Sequence, residues 1–141
     1  MSEFPVSIKG VVIDDGRVLL LLNERDEWDL PGGRPEPGED HRAALTREMQ
    51  EETALAVDVG VLLDEHLFEV LPQRFVRILA YACTRVGAAD VILSDEHLRM
   101  HWASGEELAE VIAGRRLPRG YLNAIKSALA QDGVRSCSTG L

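Results

Sequence analysis

One stretch, Leu30 to Leu55 (LPGGRPEPGEDHRAALTREMQEETAL), limits the folding options of this chain more than any other. Pro31 to Gly38 holds three prolines and three glycines. Such residues remove backbone donors or relax backbone sterics, so this part must be a loop. Neither type recurs between Asp40 and Thr53. Asp40 suits an N-cap, and Ala43, Ala44, Leu45 and Met49 are good helix formers, so the pattern predicts a helix from Asp40 to about Thr53. Glu48, Glu51 and Glu52 then lie on one helix face, within a turn of each other. Three carboxylates that close repel unless a cation lies among them, and Mg²⁺ favours such hard oxygen ligands together with phosphates. Arg47 stands four residues before Glu51, where the two can pair. Taken alone, the three glutamates fit an ordinary solvated acidic face better than a metal site.

The remaining chain supplies strands. Val6 to Ile13 and the almost wholly apolar Arg17 to Leu22 flank Asp15-Gly16, a hairpin turn signal, and the second arm reads as buried on both faces. Trp28-Asp29-Leu30 reads as a short extended piece. Leu55 to Val70 and Phe75 to Arg85 are extended, with Pro72 between them, and another strand ends near Trp102. Ser104 and Glu107 form a capping-box pair that opens a helix to about Ala113. A last helix runs from Tyr121 to Ala130. Strands outnumber helices, so an α+β fold with a mixed sheet covered by helices is expected. The length suits one domain, residues 1–131, with 132–141 as a flexible C-terminal tail.

Composition narrows the function. The net charge of −9 argues against a nucleic-acid polymer as partner, because phosphates attract basic surfaces. It is compatible with binding hard cations. The two cysteines, Cys83 and Cys137, make neither a disulfide framework nor a zinc pattern. Met1 to Gly10 has neither the basic flank nor the apolar run of a signal peptide, and no membrane span is evident, so a cytoplasmic location is the default expectation.

The spacing within the central stretch resembles the Nudix box. Gly33 is followed after five residues by Glu39, then after seven more by Arg47-Glu48, and then by Met49, Gln50, Glu51-Glu52, Thr53, Ala54 and Leu55. Six fixed residues would align by chance roughly once in a million starting points. One position departs from the pattern: Ala54 stands where the family has Gly. Trp28 to Gly33 is similar to the family's entry to the box. The run Ser94-Asp95-Glu96-His97, with Trp102 beyond it, is similar to a distal segment that adds a carboxylate.

This resemblance implies an α/β/α sandwich with a mixed sheet between helices. It implies a pyrophosphohydrolase in which water attacks phosphorus of a nucleoside-diphosphate linkage, in a nucleoside triphosphate or related nucleotide. The cofactor implied is Mg²⁺, with Mn²⁺ as a substitute. The metal ligands would be Glu48, Glu51, Glu52, Glu96 and the Gly32 carbonyl. Glu48 and Glu96 compete for the role of general base, with Glu96 favoured. Arg47 would orient a glutamate, while Gly33 and Glu39 would support the loop. Phe68 and Tyr121 are candidates for the substrate pocket, although both suit core packing. His97 and His101 fit structural or surface roles better than zinc ligation, and Trp28 and Trp102 fit packing. The expected partner is a small nucleotide, with no membrane and with a homodimer permitted. The alternative is a catalytically inactive Nudix-like module that binds a nucleotide and regulates.

Overall fold

The computed structural model describes residues 4–95, 97–111, 117 and 119–139. Two apolar strands, β1 (Val6–Asp14) and β2 (Arg17–Asn23), pair antiparallel. Asp15 and Gly16 between them have φ of 53° and 73°, the left-handed pair that a tight hairpin needs. The short β3 (Trp28–Asp29) lies against β2, and β4 (Gly32–Gly33) lies against β1. Helix α1 (His41–Thr53) follows. Next come β5 (Ala56–Leu71) and β6 (Arg74–Val86), a long hairpin turning at Pro72-Gln73. β6 runs parallel to β1 from Val6↔Arg77 to Val12↔Cys83, whereas β7 (His97–Ser104) pairs antiparallel with β2. The sheet order is β3-β2-β1-β6-β5, and the single parallel pair makes the sheet mixed.

Helices cover both faces. Leu19 and Leu21 of β2 pack in one core with Ala44, Leu45 and Met49 of α1. Val18, Leu20 and Leu22 pack in the other with Tyr121, Ala124, Ile125 and Ala128 of α3 (Arg119–Thr139). A strand apolar at successive positions can be satisfied only by such a two-sided arrangement. Gly10 permits the close approach of α1, since a Cβ there would lie 2.6 Å from the Met49 methyl and 3.0 Å from Cys83 Sγ.

The C-terminal half differs from expectation in two places. The Ser104–Glu107 capping box forms, with reciprocal N–H donations of 2.8 and 3.2 Å. The regular helix there, α2, begins only at Leu108 and is described to Val111; the expected end near Ala113 lies outside the described residues. The last helix passes the predicted end at Ala130 and continues through the expected tail to Thr139. Once a helix is nucleated each further residue costs little, and the one glycine on the way, Gly133, is a penalty of only about 1 kcal/mol. Among the described residues no helix is long and apolar enough to cross a membrane.

Candidate functional site

The site is organised around the two ends of α1. At its start, Asp40 Oδ2 accepts from the Arg42 and Ala43 N–H groups at 3.1 and 3.2 Å. At its end, Ala54 adopts φ 63° and ψ 11° and donates its N–H to the Gln50 carbonyl. The left-handed cap that glycine would fill without strain is thus real and occupied by alanine. A helix end leaves carbonyls without intrahelical donors. Here the Glu52 and Thr53 carbonyls accept from Ser94 and Ile92 N–H at 3.0 and 2.9 Å. These bonds fasten the distal segment to α1 and bring Asp95 and His97 to the same cleft as Glu52.

Arg47 gathers the carboxylates. Its Nε and Nη2 donate to the two oxygens of Glu39, each at 2.9 Å. Nη1 reaches Glu48 at 3.1 Å and Glu51 at 3.2 Å, and Nη2 also meets the Arg34 carbonyl at 3.4 Å. The planar fork allows this multiple engagement, which a lysine lacks. The Arg47 fork, with the Glu36 N–H behind it, holds the Glu39 carboxyl down at about 2. In turn Glu39, first, and Glu48 raise the proton affinity of Arg47, whose charge is therefore permanent.

The three helix glutamates are not equivalent. Glu52 is 5% exposed, and its Oε2 accepts from the Gly32 N–H at 2.9 Å. Burial pushes its carboxyl up to about 7; the Gly32 N–H and Lys9 oppose that rise, while Glu48 and Asp29 add to it. Glu48 lies under the loop, where a Cβ on Gly33 would stand 2.8 Å from the Glu48 carboxyl carbon. Glu51 is more than half exposed. Gly32 is equally constrained, because at its φ of 144° a Cβ would fall 2.0 Å from the Ile8 carbonyl oxygen. Gly32 and Gly33 are therefore steric requirements, the first of β4 lying on β1 and the second of α1 lying against β4.

A cleft of about 560 Å³ opens over Gly32 and Glu52, lined also by Lys9, Asp29, Asp95 and His97 among others, while Glu48 and Glu51 are not in its lining. A smaller side pocket of about 60 Å³ adjoins it, with Trp28, Phe68 and Tyr121 in its wall. Asn23, Arg25 and Asp29 border both. Phe68 and Tyr121 thus do come together, and Tyr121 is also deep in the core at 5% exposed. Glu96 lies outside the described residues. His101 is apart from the cleft, tilted against the Trp28 ring and 3.5 Å from Glu107. Trp102 packs beneath the Arg85 guanidinium.

Sequence reasoning missed Lys9 and Asp29. Lys9 Nζ lies 3.2 Å from Asp29 Oδ1, and the Lys9 side chain is 11% exposed. Burial works against its ammonium, but Asp29, with Tyr121 and Glu52, outweighs burial and holds the pKa above its ordinary value. The available signal was a charged residue inside an apolar strand, Val6–Asp14, where a lysine must find a partner.

Among the described residues no three His, Cys, Asp or Glu side chains converge on a ready cage. Arg47 occupies Glu48 and Glu51, and Gly32 occupies one Glu52 oxygen. The donors nevertheless suit a hard divalent cation. They are all oxygens, and burial, with Glu48 alongside, works against ionisation of Glu52, which a bound cation would favour. Mg²⁺ commonly takes only one or two carboxylates and completes its shell with water and phosphate.

Comparison with known proteins places this geometry. The family model described as NUDIX domain matches residues 3–122. A CTP pyrophosphohydrolase of Escherichia coli is 30% identical, the match covering 71% of this chain and 76% of the relative. A MutT-like protein of Streptomyces ambofaciens is 31% identical over 77% of this chain and 69% of its own length. A relative from Bacillus subtilis is 39% identical, but the match spans only 47% of its length. Among solved structures, a MutT protein from Methanosarcina mazei superposes with a TM-score of 0.74 at 26% identity, covering 92% of this chain and 95% of that one.

Proposed function

The chain belongs to the Nudix hydrolase family, and on that premise we propose that it hydrolyses a phosphoric anhydride bond of a nucleoside triphosphate or a related nucleotide. The supporting observation is the arrangement about α1, in which Arg47 holds Glu39, Glu48 and Glu51 while Glu52 is buried on the Gly32 N–H. Glu48, Glu51, Glu52 and the Gly32 carbonyl would hold Mg²⁺ or Mn²⁺, with Glu96 as auxiliary ligand or base. When bound, such an ion neutralises non-bridging phosphate oxygens and favours ionisation of water.

The chain's own groups supply the rest. Arg47 fixes the rotamers of Glu39, Glu48 and Glu51, so the carboxylates are in position before substrate arrives. Lys9 and Arg25 place positive charge in an otherwise acidic cleft. Glu48, committed to the loop and to Arg47, serves as a ligand. Glu96 is assigned as the group that accepts the proton of the attacking water; its sequence neighbours Asp95 and His97 both line the cleft. The aromatic side pocket offers faces for a nucleobase. Phosphate and pyrophosphate release from a panel of nucleotides, with Mg²⁺ and with EDTA, tests this reading. Release that depends on metal is expected. Full activity in EDTA would overturn the metal assignment, and no product from any nucleotide would overturn the hydrolase reading.

A further inference from the structure

Lys9 is a costly residue at its position. Its neighbours Ile8 and Val11 are fully buried, and a methionine would fill the same space without desolvating a charge. Buried ion pairs are often no better for stability than apolar side chains of the same volume. The pair with Asp29 therefore calls for an explanation other than stability.

What the pair does is hold one carboxylate still. Asp29 Oδ1 accepts from Lys9 Nζ at 3.2 Å and from the Leu30 N–H at 2.8 Å. Even so, the Asp29 side chain stays 20% exposed and borders both the cleft and the aromatic pocket. The other two residues shared by these recesses differ in kind. Asn23 Oδ1 is committed to the N–H groups of Arg25 and Glu27, at 2.9 and 3.1 Å. Arg25, a donor, pairs with Glu27 at 3.0 Å. The acceptor facing the junction is thus Asp29. An ionised carboxylate can only accept hydrogen bonds.

We infer that Lys9 is a positioning residue for substrate selection: it fixes Asp29 where the phosphate cleft meets the aromatic pocket, and there Asp29 accepts a hydrogen bond from the exocyclic amino group of a nucleobase. The inference rests on the nucleotide reading above. A base seated against Phe68 at the mouth of the side pocket presents its edge to the junction. An amino group there is bound, whereas a carbonyl oxygen in its place faces a carboxylate and is rejected, as sites built for one hydrogen-bonding pattern reject the other.

The test uses matched monophosphates as probes, so that binding is read without turnover. Calorimetry on the intact chain compares CMP with UMP and AMP with IMP. The amino member of at least one pair should bind about tenfold more tightly, a difference of about 1.4 kcal/mol. Lys9→Met should bring that preference below about threefold, Lys9→Arg should retain it, and Asp29→Asn should abolish it. With the triphosphates, the ratio of KM for the oxo base to KM for the amino base should fall in Lys9→Met as far as the binding preference does and recover in Lys9→Arg. A purely structural role would not produce that base-selective change or the rescue by arginine.

Equal binding within both pairs by the unmodified chain overturns the inference. So does discrimination that survives Asp29→Asn, a test that also decides the matter if Lys9→Met does not fold. A preference for CMP over dCMP that accounts for all the selectivity assigns Asp29 to the ribose and likewise overturns it. Base preference without hydrolysis of any nucleotide refutes the hydrolase reading and leaves Lys9 in its role.

Discussion

Glu52 is buried with one oxygen on the Gly32 N–H, so exchanging it for alanine or for glutamine perturbs different things. Alanine removes the acceptor and leaves the Gly32 N–H buried without a partner, at a cost of about 1–3 kcal/mol. In a domain of this size that corresponds to a fall in Tm of roughly 3–10 °C. Glutamine keeps the volume and an acceptor oxygen and removes a buried negative charge. Its Tm in EDTA should lie within about 2 °C of the parent or above it. Activity should show the opposite ranking of concern. Loss of one unit of charge from the metal-binding set is expected to lower kcat tenfold or more even in the stable glutamine variant, equivalent to about 1.4 kcal/mol in barrier. Differential scanning calorimetry in EDTA and initial rates in Mg²⁺ measure the two effects separately. A glutamine variant with the parent's kcat and metal dependence would falsify the claim that this face of α1 binds metal. An alanine variant with unchanged Tm would remove the stabilising role of the Gly32 contact.

Arg47→Lys keeps the charge but loses the fork that engages Glu39, Glu48 and Glu51 together; kcat should drop tenfold or more, and parental rates would show that these glutamates need no such clamp. Ala54→Gly relieves a left-handed alanine, a strain of about 1 kcal/mol partly offset by the greater freedom of glycine in the unfolded chain. Its Tm should rise by roughly 1–4 °C, and a fall would mean that the cap carries no strain. Glu96→Gln should lower kcat with little change in Mg²⁺ affinity of the free protein, while Glu48→Gln should weaken both. The reverse pattern in kinetics and metal titration would move the base to Glu48.

The sequence was most legible where one residue type has one physical reason to be present. Asp15-Gly16 demanded a left-handed turn, and both residues adopt it. The run Val18 to Leu22, apolar at every position, demanded cover on two faces and receives it from α1 and α3. The spacing of Arg47, Glu48, Glu51 and Glu52 brought Arg47 within reach of Glu48 and Glu51 on α1, because a helix converts spacing directly into direction. It did not reveal that the three glutamates would be so unequally exposed, since that depends on which side the loop from Gly32 to Glu39 crosses. The end of α3 was misjudged for a related reason. Polar residues past Asp132 resemble a tail in composition, yet nothing in them stops a helix that is already formed.

Lys9 and Asp29 mark the limit of local reading. They are twenty residues apart in sequence, on β1 and β3, two strands that do not pair with each other; β2 lies between them in the sheet. Only the closing of the Gly32–Gly33 loop across β1, with the Pro31 carbonyl accepting from the Gly10 N–H at 2.8 Å, brings the Asp29 segment back over Lys9. A lysine in an apolar strand announces that a partner exists without saying where. The box glutamates announce themselves because their geometry is local, and reactions common to a whole family can be read from such segments. Choice among substrates depends on pairs like Lys9 and Asp29, assembled by the fold from distant positions, and for that reason selectivity here had to be read from the three-dimensional cleft.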